Sequence, residues 1–164
     1  NGEVFMKNRE TDEWLTQNNR STRNFLRKWG HMCKHDSLMK PIVPPKYDVG
    51  FKITNGNAQI LNMLEPWCSH IEIDVWGMDV GKYIDFEQPN TQFNLVDRIN
   101  TNRKCDIIVE FDANKLTQPS FNLIMEFASI LESSEIEIGE FELDIFKFNV
   151  NRLETYENEL IKLN

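Results

Sequence analysis

Three stretches of this 164-residue chain place polar side chains just beyond apolar, β-branched runs. They are Thr54-Asn55-Gly56-Asn57, Asp74 after Ile71-Glu72-Ile73, and Glu110-Phe111-Asp112 after Ile107-Ile108-Val109. In an open sheet of parallel strands, ligands collect in the crevice outside the carboxyl ends of the strands, so these amides and carboxylates are the first candidates to meet one. A second set is His31, Cys33 and His35, which would share one side of an extended segment and whose ring nitrogens and thiolate suit zinc. The paired spacing of zinc sites is absent, and they read as linker positions. Arg20, Arg23 and Arg27 share a face of one helical pattern. Guanidinium groups so clustered suit a phosphate, a nucleic-acid backbone or an anionic membrane surface. The plainer reading is a solvated face, or one paired with acidic residues further along the chain. Trp67, Trp76, Tyr83 and Phe86 fall around loops, where aromatic rings stack on a sugar or a partner, or more often cap a core edge.

The elements that must position these residues follow from periodicity. Ser21 to Trp29 reads as a helix, with Ser21 as cap, Phe25, Leu26 and Trp29 at helical spacing, and Gly30 as the stop. Pro41, Pro44 and Pro45 mark an extended connector. Tyr47–Ile53 reads as a strand. Asn57–Glu65 reads as a helix with Ile60, Met63, Leu64 and Trp67 on one face, ended by Pro66. Ile71, Ile73 and Val75 alternate with Glu72 and Asp74 in a second strand, completing a right-handed β-α-β unit. A loop containing Gly77, Gly81, Pro89 and Asn90 leads to a helix around Phe93–Asn100, and then to the strand Asp106–Phe111. Pro119 opens a nearly all-apolar helix to Leu131. Ile136–Val150 reads as extended chain with acidic alternation, and Leu153–Leu163 as a last amphipathic helix. The expected fold is α/β: a layered, mostly parallel sheet flanked by helices, with a helical N-terminal extension.

Charge divides the chain near Tyr47. Residues 1–46 carry nine Lys and Arg against five Asp and Glu, whereas residues 47–164 carry nine against twenty-one. This predicts a basic helical N-terminal segment with a Pro-rich connector over 1–46, and an acidic α/β domain over 47–164. The acidic region would repel a phosphate backbone, which argues against nucleic acid as a partner. The longest apolar candidate, Phe121 to Leu131, is eleven residues with Glu126 inside it. That is too short for the roughly 20 residues of a transmembrane helix. Cys33, Cys68 and Cys105 are odd in number and lack a CxxC pair, so they suit a reducing compartment and a cytoplasmic location. The opening Asn1-Gly2-Glu3-Val4-Phe5-Met6 lacks a signal-peptide pattern and reads as the start of a cut fragment.

Asp106 to Asp112, followed by Leu116-Thr117-Gln118-Pro119 and an apolar helix, resembles the strand, acidic motif and following helix of family-2 type nucleotide-sugar glycosyltransferases. Tyr47–Asn55, the helix to Glu65 and His70–Asp74 resemble the first β-α-β unit of that family. Asn24 to Gly30 is similar to the Lys-Trp-Gly ending of such catalytic domains. The resemblance implies a C-terminal portion or degenerate second domain of a transferase. It implies that Glu110 and Asp112 hold a divalent cation, Mn²⁺ or Mg²⁺, against a sugar diphosphate. It further implies that Asp74 and Asn55 face the nucleoside, and that a catalytic base comes from Glu140, Glu142 or Asp144. The partners so implied are a nucleotide-sugar, a glycan acceptor and an adjoining transferase domain. Glu stands where the family has the first Asp of its motif, and no acceptor-side motif follows. The alternative expectation is therefore a catalytically silent α/β module that binds a protein partner.

Overall fold

The computed structural model describes residues 12–156. Helix α1 (Asp12–Trp29) precedes a small hairpin, β1 (Lys34–His35) with β2 (Pro41–Ile42). Next come β3 (Lys46–Tyr47), β4 (Val49–Thr54), α2 (Ala58–Leu64), a 3₁₀ turn (Glu65–Trp67) and β5 (His70–Ile73). After these stand α3 (Gly77–Glu87), α4 (Leu95–Arg98), β6 (Ile107–Asp112), α5 (Gln118–Met125) and α6 (Phe127–Glu132). The hairpin β7 (Gly139–Leu143) and β8 (Phe146–Val150) follows, and β9 (Thr155–Tyr156) pairs with β3.

The main sheet has the order β5-β4-β6-β8-β7. Its first three strands are parallel, as a helix-connected order requires, but β8 runs antiparallel to both β6 and β7. The sheet is thus mixed, not mostly parallel. The reason lies in the segment Ile136–Val150, which is two strands folded back at Asp144-Ile145; Asp144 takes a φ of 53° there, a conformation a short polar side chain tolerates. Other boundaries also move. Helix α1 begins nine residues before Ser21, which lies within it. The expected helix from Pro119 to Leu131 breaks at Glu126, whose ψ of 4° interrupts the helical path. The Gly77–Asn90 stretch, read as a loop, contains α3. Of the expected last helix, Thr155–Tyr156 is strand, and the part after Tyr156 lies outside the described residues.

Strand alternation separates the two faces of the sheet. Phe51, Ile53, Ile71, Ile73, Ile107, Val109, Phe111, Phe146, Phe148 and Val150 are buried on one. There α6 contributes Phe127, which meets Phe51, Phe146 and Phe148 edge-on at centroid distances of 5.0–6.2 Å. The other face carries a row that crosses all five strands in register: Glu72, Lys52, Glu110, Lys147 and Glu142. Signs alternate along it. Such a row suits water, and one face of a partly antiparallel sheet can be left to solvent.

Helix α1 is tied to the acidic region by buried charge. Arg27 bridges Glu65 and Glu87, each at 2.7 Å, and Arg98 meets the second Glu65 oxygen at 3.2 Å. The side chains of Arg27 and Glu65 are wholly buried. Arg23 adds an ion pair to Glu87, and Tyr83 accepts from Arg23 and donates to Glu65. Arg23 and Arg27 therefore spend their guanidinium groups on internal carboxylates, the plainer of the two readings of the basic stripe. Among the described residues, no helix is long and apolar enough to cross a membrane.

Burial alone would raise the Glu65 carboxyl, but Arg98 and Arg27 hold it below its ordinary value of 4.5. A carboxyl lowered on folding stabilises above its unfolded value, and that contribution is lost as pH falls through the folded value. Glu65→Gln, which strands two buried guanidinium groups, is expected to cost about 3–5 kcal/mol in urea denaturation at neutral pH. The variant should also lose less stability than the parent below pH 4.5. Parental stability in the variant would show that the network does not hold α1.

Candidate functional site

The chain builds outward from β4 to β5, whose far side meets Ile99 in a parallel bridge, and then returns to place β6 on the other side of β4. The order reverses between β4 and β6. In open α/β sheets, ligands favour the carboxyl edge at such a reversal. Asn55 follows β4, Asp112 ends β6, and Asp74 follows β5, so the three sit at one edge of the sheet.

Local chemistry fixes them there. Asn57 accepts from the Ile60 amide and caps α2, which turns the chain sharply after β4. Asn55 adopts φ 55°, the left-handed region that asparagine enters more readily than most residues. At Gly56 an added Cβ would fall on the Ile73 side chain, 2.6 Å from its Cδ1, so only glycine lets the loop lie against β5. Asp74 then grips the loop. Its Oδ2 accepts from the Asn55 amide at 2.9 Å and its Oδ1 from the Gly56 amide at 2.7 Å. On the other side, the Asn55 side-chain amide donates to Asp112 Oδ1 at 2.9 Å, and the Asn114 amide donates to the same oxygen at 2.9 Å.

Both carboxyls are held below the usual carboxylate value of 3.8. For Asp74 the causes are the Gly56 and then the Asn55 amide; for Asp112 they are the Asn55 side chain and then the Asn114 amide. Hydrogen bonds to the charged form favour ionisation. Both groups stabilise the fold above 3.8 and lose that contribution as pH falls through their folded values.

The remaining candidates are dispersed. Glu110 lies on the same face of β6 as Asp112 but in the charged row, 3.7 Å from Lys52. That pair is exposed, and such pairs are worth about 0–1 kcal/mol. Glu142 stands in the same row two strands away, roughly 10 Å at the usual strand spacing. Glu140 is exposed and 3.9 Å from Lys147. Asp144, in the turn before β8, is nearest the carboxyl edge by register, and its Oδ2 accepts from Ser120 at 2.7 Å. Among the described residues, no three His, Cys, Asp or Glu side chains gather as a metal site would require. His31 is buried edge-on against Phe25, while Cys33 and His35 are exposed. Of the aromatic set, Trp67 packs on Phe121 and Tyr83 joins the buried network, but Trp76 and Phe86 are 82% and 74% exposed.

Gly56 and Asn114 complete the arrangement; the sequence marks the first only as a member of the stretch 54–57 and the second only as a turn residue after Asp112. The Asn-Gly pair signals a turn, and Asp112 two residues before Asn114 signals a side-chain-closed turn. Neither indicates which carboxylate the loop would meet. No protein-family model, curated protein or solved structure matches this chain.

Asn55→Gly keeps the left-handed backbone and deletes only the tether to Asp112. NMR titration of the variant should show the Asp112 carboxyl returning toward 3.8 while Asp74, which holds backbone amides, stays low. An unmoved Asp112 would mean that Asn55 is not its principal donor.

Proposed function

We propose that this domain is glycosyltransferase-like and binds the diphosphate of a nucleotide-sugar at the carboxyl edge of β4 and β6, with a divalent cation. The supporting observation is the reversal of strand order at β4, with Asn55, Asp74 and Asp112 fixed at its carboxyl edge. The donor set suits a hard cation in part. Both protein donors to Asp112 fall on Oδ1, so Oδ2 keeps its lone pairs, and Glu110 is held only by an exposed pair. Mg²⁺ and Mn²⁺ sites of this kind draw on one or two carboxylates and complete their shell with phosphate oxygens and water. When bound, the cation would neutralise charge on the leaving diphosphate. The protein's part is to hold Asp112 ionised and oriented, and to keep the 55–57 loop against Asp74.

A second reading is a catalytically silent module that supports an adjoining transferase domain or binds a protein partner. What favours it is Glu110, which is matched on both sides in the charged row, and the spread of Glu140, Glu142 and Asp144 along β7 and its turn.

Thermal melting with UDP or GDP, each with and without Mn²⁺, separates the two. The first reading expects metal-dependent stabilisation, about 2.7 kcal/mol at a hundred-fold excess of ligand over Kd. It also expects the shift to vanish in Asp112→Ala. No shift with either nucleotide in the parent chain would leave the second reading.

A further inference from the structure

The pair Asn55-Gly56 is the sequence most prone to spontaneous deamidation, because glycine has no side chain to shield its amide nitrogen. In that reaction the deprotonated Gly56 nitrogen attacks Asn55 Cγ. A new N–C bond forms as the Cγ–Nδ2 bond breaks, and ammonia leaves with a proton from water. Water then opens the cyclic imide to an aspartate or isoaspartate linkage. We propose that Asn55 is a latent self-modification site that Asp74 and Asp112 keep closed in the folded chain.

Both reacting groups are engaged. The attacking amide donates to Asp74 Oδ1 at 2.7 Å, and the departing amide donates to Asp112 Oδ1 at 2.9 Å. An ionised carboxylate facing the Gly56 N–H opposes its deprotonation, since a second negative charge must form beside the first. The same two carboxylates oppose the negative tetrahedral intermediate on Cγ. Rigidity adds to this. The Asn55 amide is held by Asp74 as well, and Gly56 is pressed on Ile73, so the turn that would bring the Gly56 nitrogen onto Cγ requires the loop to leave its seat. Reaction would replace the Asn55 donor by a third carboxylate against Asp112, and the three strand ends would lose one of their ties. This guard works on the loop itself and stands whether or not a nucleotide binds here.

Peptide mapping by mass spectrometry, with isoaspartate detection, tests it on the whole chain incubated at mildly alkaline pH. Conversion at Asn55 in the folded parent should be at least about tenfold slower than in the urea-unfolded chain. Asp74→Asn and Asp112→Ala should each accelerate it. Asp112 is half-buried and ties the loop by one side-chain bond, whereas Asp74 holds two loop backbone amides, so the Asp112 variant decides the matter if Asp74→Asn fails to fold. Equal rates in folded and unfolded parent would overturn the proposal. So would the parental rate in an Asp112→Ala chain shown by circular dichroism to be folded.

Discussion

The Glu65 carboxylate is the point on which the rest of the structure hangs. It is fully buried at the start of the 3₁₀ turn after α2, and burying an ion without partners costs several kcal/mol. Two guanidinium groups and a phenol repay that cost, and they come from three different elements: Arg27 from α1, Arg98 from α4 and Tyr83 from α3. Arg98 goes further and donates to the main-chain oxygens of Glu65 and Cys68, the segment that feeds β5. One carboxylate thus sets where three helices end up relative to the sheet. The contrast between a basic start and an acidic remainder acquires a structural meaning, since the basic helix closes over buried acids.

From that anchor the sheet follows. Glu65 and Cys68 lie just before β5, and β5 carries Asp74 at its far end, so the network fixes the strand whose carboxylate grips the 55–57 loop. Close approach matters at the opposite end as well. An added Cβ at Gly50 would lie 2.8 Å from Cys105 Sγ, which lets the chain entering β6 cross tightly over β4. The parallel strands, their loops and the two carboxylates form one mechanical unit. The hairpin β7–β8 extends the sheet without adding to its carboxyl edge, apart from the turn at Asp144.

Which features were legible in the sequence depends on whether apolar side chains did the positioning. Strands β4 and β5 were readable because Phe51, Ile53, Ile71 and Ile73 alternate with Lys52 and Glu72, β6 because Ile107-Ile108-Val109 is a compact β-branched run, and α2 because Asn57 caps a clear apolar stripe. Helix α3 was not. Val80, Tyr83 and Ile84 stand at helical spacing against the core, but the stripe ends on Glu87, no side chain caps the start, and Gly77 and Gly81 weaken the propensity. Residues 13–19 of α1 are exposed and, apart from Trp14 and Leu15, polar, so that part of the helix carries no core-facing stripe. The backward fold at Asp144 leaves a period-2 pattern on either side, which reports strand but not direction. At the candidate site, the residues were picked out by their place after apolar runs, yet their mutual bonding was hidden, because spacing says nothing of which carboxylate a loop amide will reach.

On the proposed reading, structure and ligand make demands on the same carboxylates, and the geometry divides them by oxygen atom. Asp74 and Asp112 together accept four hydrogen bonds, three of them from Asn55 and Gly56 and the fourth from the Asn114 amide. In Asp74 they use both oxygens. In Asp112 they fall on Oδ1 alone. A ligand approaching the edge therefore meets one carboxylate already occupied in shaping the loop and one with an oxygen to spare. It can engage the second without undoing the ties that hold Asn55, so the fold does not have to choose between keeping its shape and offering a charge. A carboxylate that had to release its loop before taking a ligand would lose in the first step much of what it gained in the second.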